Sequence, residues 1–66
     1  MTGAELYAAW QALTPELRKA AFAAVLYRSD TMPDGCAEFA AGVRLADADA
    51  INTFLALTGS KSRVAA

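Results

Sequence analysis

Residues 20–27 read Ala-Ala-Phe-Ala-Ala-Val-Leu-Tyr, an unbroken apolar run with charged or polar residues on both sides. On a helix, such a run places apolar side chains on most of the circumference, so protein or membrane must enclose it. It is far shorter than the roughly 20 residues that span a bilayer. The sequence therefore predicts a central helix over residues 15–28 that is surrounded by protein.

The length of the chain limits what can surround this helix. A chain of 66 residues is a single small domain. A chain of this size buries only about 60% of its unfolded surface and is marginally stable alone. It has no histidine and one cysteine, Cys36, so neither a metal site nor a disulfide supports it. We therefore expect association with another chain, and favour a homodimer.

Composition predicts the fold class and the environment. Alanine is the commonest residue and has the highest helix propensity, which favours an all-α fold, a compact bundle of three to four short helices. A net charge of −1 gives no general attraction to nucleic acid or anionic lipid. The lone cysteine and the absence of a signal-peptide pattern at the N-terminus predict a cytoplasmic protein.

Local signals divide the first half of the chain into two helices. Thr2 and Glu5 have the spacing of a capping box, which predicts a first helix over residues 3–13 with Leu6, Trp10 and Leu13 on one face. Thr14 and Pro15 then form an N-cap and first helical residue, so the central helix begins there. The short connection predicts a corner or a tight hairpin.

The second half follows a break at residues 29–35. A third helix is predicted over residues 34–44, capped by Thr31 or Asp34, with Cys36, Phe39, Ala40 and Val43 on its apolar face. After a short turn at residues 45–47, Asp47 caps a fourth helix that runs to residue 57, and Gly59 ends it. Residues 1–59 are thus predicted to form one helical domain, and residues 60–66 a flexible basic tail.

Catalytic and metal-binding patterns are weak. Without histidine there is no imidazole base and no Ser-His or Cys-His pair. Cys36 lies on a regular apolar stripe and is interpreted as a structural thiol. The loop that begins at Asp30 resembles a calcium loop only in part, because Met32 and Ala41 occupy two ligand positions. We expect no enzyme activity, no cofactor and no metal.

One alternative is a degenerate helix-turn-helix DNA reader. Glu38 to Val43, followed by a turn and Ile51, has the outline of that motif, with Gly42 at the turn. Three features oppose it: Glu38 where a small residue is needed, a long predicted turn from Gly42 to Asp47, and acidic residues at the start of the recognition helix. Binding to DNA would then depend on basic residues that flank this helix, namely Arg44, Lys61 and Arg63.

The remaining interpretation is a non-enzymatic protein–protein interaction module. It would bind a larger protein through its helix faces, as an adaptor or an inhibitor of the kind that phages and mobile elements encode. Aromatic and arginine residues most often anchor interfaces. The predicted partner-binding residues are Tyr7, Trp10, Phe22, Tyr27, Arg28 and Arg44.

Overall fold

The computed structural model describes residues 1–27, 29 and 31–60. Among these residues the backbone forms four helices and no strand, so the all-α prediction is confirmed. They gather into a compact globule of 28 × 21 × 20 Å. The helices are α1 (Gly3–Gln11), α2 (Pro15–Leu26), α3 (Ala37–Leu45) and α4 (Ala48–Leu57).

Three helices begin at the caps that the sequence predicts. In the capping box of α1, the Thr2 hydroxyl accepts from the Glu5 N–H at 3.2 Å, and the Thr2 N–H donates to the Glu5 carboxylate at 3.0 Å. The Thr14 hydroxyl caps α2, and the Asp47 carboxylate accepts from the Ala50 N–H at 2.8 Å at the start of α4. These caps satisfy amides that have no partner within the helix.

The end of α4 also matches its prediction. Gly59 adopts a φ of +82°, the left-handed conformation that glycine takes without a steric penalty. The Gly59 N–H donates to the Ala56 carbonyl at 3.1 Å, and the Ser60 N–H donates to the Leu55 carbonyl at 3.0 Å. This is a Schellman motif. Most of the predicted flexible tail, residues 61–66, lies outside the described residues.

The start of α3 differs from its prediction. Neither Thr31 nor Asp34 caps it; instead Cys36 occupies the N-cap position, without a side-chain cap, and the helix begins at Ala37. The cause is a turn, in which Gly35 has a φ of +95° and the Cys36 N–H donates to the Pro33 carbonyl at 3.3 Å. The chain therefore reverses direction before it can become helical.

The ends of the first three helices shift by one or two residues. Helix α1 stops at Gln11 rather than Leu13, because its last turn tightens and the Leu13 N–H donates to the Trp10 carbonyl at 3.1 Å. Helix α2 ends at Leu26, and α3 extends to Leu45. Fraying and tightened last turns make such ends hard to predict from sequence.

Helix α1 lies at the centre of the fold, and the described residues of the chain enclose α2 only in part. Helix α1 packs most extensively on α4, then on α3, and least on α2. Helix α2 buries only Ala21, Ala24 and Val25, whereas Ala20 and Tyr27 beside it are exposed. The core cluster consists of Leu6, Ala21, Val25, Cys36, Phe39, Ile51, Phe54 and Leu55.

Two buried glycines allow α1 to occupy this position. A Cβ atom on Gly3 would lie 2.5 Å from Thr53 Cβ and 2.6 Å from the Ala50 carbonyl oxygen of α4. A Cβ atom on Gly42 of α3 would meet the side chains of Met1 and Leu6. The absence of side chains at these points brings α1 close to both neighbours. None of the described helices has the length and apolarity that a membrane span requires.

Candidate partner-binding surface

Trp10 is the centre of an aromatic cluster that joins three helices. Its ring stacks on Tyr7 of α1 with 5.5 Å between centroids, and meets Phe54 of α4 edge-on at 5.9 Å. Phe22 of α2 lies 6.4 Å away. Offset and edge-on arrangements are the favourable ones for aromatic rings. Phe54 is fully buried, whereas Tyr7, Trp10 and Phe22 are half-buried, so the cluster extends from the core to the surface.

Arg18 forms a reciprocal contact with Trp10 across the corner between α1 and α2. The Trp10 Nε1–H donates to the Arg18 carbonyl at 3.2 Å, and the Arg18 Nε–H donates to the Leu13 carbonyl at 3.1 Å. The guanidinium carbon lies 5.6 Å from the centroid of the Trp10 ring, within cation–π range. These contacts fix both the corner and the orientation of the guanidinium group.

The charge of Arg18 is not neutralised within the described part of the chain. No carboxylate there pairs with it, and within its guanidinium group only the Nε–H donates to a described residue. The residue is half-buried, and its partnerless Nη atoms are still reached by solvent. We call Tyr7, Trp10 and Arg18 the Trp10–Arg18 cluster. It is a preformed set of one tyrosine, one tryptophan and one arginine at the surface.

The structure brings together three of the six predicted partner-binding residues. Tyr7, Trp10 and Phe22 belong to the aromatic cluster described above. Tyr27, at the C-cap of α2, is 82% exposed and has no ring contact among the described residues. Arg44 is exposed in the last turn of α3. Arg28 lies outside the described residues.

Sequence reasoning missed Arg18 as a candidate and did not single out Leu45 or Leu57. Leu45 is 75% and Leu57 47% exposed, and each is the last residue of its helix. The predicted corner at Thr14 and Pro15 could have indicated Arg18, because a turn at that point brings the first residues of α2 close to Trp10. Leu45 gave no signal, because its exposure depends on where α3 ends.

Catalytic and metal-binding candidates occupy structural positions. Cys36 is 1% exposed within the core cluster, so its thiol has almost no access to solvent. In the described ranges, no three side chains from His, Cys, Asp or Glu converge as metal ligands would. Asp47 caps α4, and Asp49 lies in the same exposed first turn. The first turn of α4 is therefore acidic.

The connection between α3 and α4 corrects one detail of the helix-turn-helix comparison. Gly42 lies inside α3 and packs beneath Met1 and Leu6, so it is not at the turn. The connection consists of Ala46 and Asp47 only, and is shorter than the predicted turn from Gly42 to Asp47. Both α3 and α4 pack more extensively on α1 than on each other. The glycine thus serves the α1–α3 contact.

Comparisons with protein-family models, with curated proteins and with solved structures each found no match. The geometry and chemistry of the described residues are therefore what indicate the function of this protein. Within them, the Trp10–Arg18 cluster combines the residue types that most often anchor interfaces with a fixed arrangement of their side chains.

Proposed function

We propose that this protein is a small, non-enzymatic, cytoplasmic interaction module that binds a larger protein, as an adaptor or an inhibitor. The observation that carries the proposal is the Trp10–Arg18 cluster. Trp, Tyr and Arg are the residue types enriched at interface hot spots, and here Trp10 contacts both Tyr7 and Arg18. Their positions are fixed before a partner arrives, which lowers the entropy cost of binding.

A second group of contacts completes the proposal. Tyr27 exposes a large apolar surface at the end of α2, and Leu45 does so at the end of α3, next to Arg44 in sequence. A few central anchors surrounded by weaker contacts are typical of interfaces. We propose that these exposed residues extend the interface with the partner, or serve the contact between two copies in a homodimer. Phe22 supports the cluster from beneath, and Arg28 remains a predicted contact residue.

The test is affinity capture of the tagged 66-residue chain from extract of its native host, with and without nuclease and at low and high salt. We expect a stoichiometric protein that remains after nuclease treatment and is largely retained at high salt. Its binding must be reproduced with the two purified proteins. Apolar anchors resist salt, whereas binding to many phosphates weakens steeply with it.

Two matched variants, Tyr7→Ser and Tyr27→Ser, locate the interface. If the cluster is the anchor, Tyr7→Ser weakens capture more than Tyr27→Ser does, provided that circular dichroism shows both to be folded. A nuclease-sensitive, salt-sensitive complex with nucleic acid would instead support the helix-turn-helix alternative. Failure to recover any protein from native-host extract would contradict the proposed function.

A further inference from the structure

We propose that Arg18 receives a carboxylate group, an Asp or Glu side chain of the partner protein. The proposal rests on the proposed function and adds the chemistry of the contact. Three observations support it. The guanidinium group has unused donors, its charge is unpaired in a half-buried position, and no other described cation contacts Trp10.

The unused donors define the geometry of the ligand. Arginine presents five N–H donors in a planar fork that matches the two oxygens of a carboxylate. In this protein the Nε–H is already bound to the Leu13 carbonyl at 3.1 Å, and the Trp10 ring lies against the guanidinium group at 5.6 Å. The terminal Nη1 and Nη2 atoms remain without a partner among the described residues. They form the side of the fork that bidentate carboxylates use.

The electrostatics favour an anion at this place over the other two cationic side chains that the structure describes. Arg18 is half-buried, whereas Lys19 and Arg44 are exposed to solvent. An ion pair at a partly desolvated position is screened less by water and salt than one at the surface. The Leu13 and Trp10 contacts also hold the guanidinium group in place, so little side-chain entropy remains to be lost on binding.

A carboxylate fits this position better than the phosphates of a nucleic acid. Nucleic-acid affinity comes from several cations that neutralise successive phosphates. Among the described residues, Arg18 is the single cation that lies against Trp10, in a chain of net charge −1. A single guanidinium group can bind a single carboxylate. The aromatic surface beside it can contact apolar residues that flank the Asp or Glu in the partner protein.

The first test measures anion binding by NMR in the intact chain, without any partner. Acetate is the probe, and inorganic phosphate is the anion with which it is compared. Arg44 serves as the internal control, and each anion replaces chloride so that the ionic strength stays constant. We expect acetate to shift the Arg18 Nε–H and the Trp10 Nε1–H with an affinity about tenfold higher than at Arg44. Equal shifts at Arg18 and Arg44, or stronger binding of phosphate than of acetate, would overturn the carboxylate proposal.

The second test uses the captured partner and separates this proposal from the proposed function. Arg18→Lys keeps the charge but removes the fork, and we expect it to weaken binding by about tenfold or more. Lys19→Gln removes a neighbouring exposed charge and should leave affinity unchanged. If the partner binds the folded Arg18→Lys variant as tightly as wild type, the carboxylate contact is refuted while the proposed function stands. Acetate binding at Arg18 without any captured protein would refute the proposed function instead.

Discussion

Trp10 shows how one side chain can serve both the core and the surface. Its ring packs on Tyr7, Phe22 and Phe54, and its indole N–H is satisfied by a backbone carbonyl inside the protein. Buried tryptophans usually need such a partner for their one donor. Because that donor is already used, a binding partner would contact the exposed part of the ring rather than its N–H group. Arg18 supplies the polar donors at the same place.

Among the described residues, Glu5 is the one whose pKa departs clearly from its ordinary value, and this shift makes stability depend on pH. The backbone N–H of Thr2, and then its hydroxyl, lower the pKa of Glu5 below its ordinary value of 4.5. Since the folded-state pKa is lower than the unfolded one, the carboxylate stabilises the fold above pH 4.5. This contribution is lost as the pH falls below that value, through the folded-state pKa.

Urea unfolding of wild type and Glu5→Gln across this pH range checks the prediction. Glutamine can still accept from the N-cap amide but cannot titrate. We expect wild type to be the more stable of the two above pH 4.5, and its advantage to shrink as the pH falls below 4.5. Two profiles that stay parallel into strong acid would show that the capping carboxylate does not contribute to this dependence.

At the scale of elements, the crossing of α1 and α4 organises the fold. The first residue of α1, Gly3, faces Ala50 and Thr53 of α4 at distances that leave no room for a side chain. Further along the same pair, Trp10 meets Phe54. The helices therefore touch through backbone at one point and through aromatic rings at the other. This contact makes α1, rather than α2 with its unbroken apolar run, the central helix.

Gly3→Ala tests the close approach of α1 and α4. Helix propensity alone would favour alanine by about 1 kcal/mol. The added Cβ would instead clash with the Ala50 carbonyl oxygen and Thr53, so we expect a net loss of about 1–3 kcal/mol in the free energy of unfolding.

Gly42→Ala is the matched control for this measurement. Its Cβ would meet the far ends of the Met1 and Leu6 side chains, which can move, rather than backbone. We expect it to cost less than Gly3→Ala in the same urea titration. A gain in stability from Gly3→Ala would mean that α1 and α4 lie further apart than described.

At the scale of the whole molecule, the exposed apolar residues are candidates for the contact between two copies of the chain. The core cluster draws residues from all four helices, yet Tyr27, Leu45 and Leu57 contribute large exposed surfaces at three helix ends. Single exposed apolar residues are common on soluble proteins, and only a contiguous patch marks an interface.

Light scattering over a dilution series tests the proposed homodimer. We expect the mass to approach that of two chains as concentration rises, and Tyr27→Ser to shift this transition to higher concentration. Lys19→Ser, on the exposed side of the same helix, should not change the concentration at which the transition occurs. Phe22→Asp is unsuitable for this purpose, because Phe22 packs against Trp10 and Phe54 and the charge would disturb the core. A monomer mass at every concentration would contradict self-association.

The sequence by itself determined where most helices begin and how α4 ends. Thr2, Thr14, Asp47 and Gly59 act through hydrogen bonds or backbone angles that involve residues only a few positions away, so their roles can be read locally. The apolar faces of Leu6 in α1 and of Ile51, Phe54 and Leu55 in α4 were also predictable from helical periodicity.

Only the tertiary structure decided which helix is central and which residues form the candidate site. An apolar run shows that a helix has surface to bury but not which neighbour covers it, and the small side chains of α2 leave part of that helix exposed. Gly3 meets Thr53 and Trp10 meets Arg18 through contacts between separate helices. Such contacts depend on how whole elements cross, which local spacing does not specify.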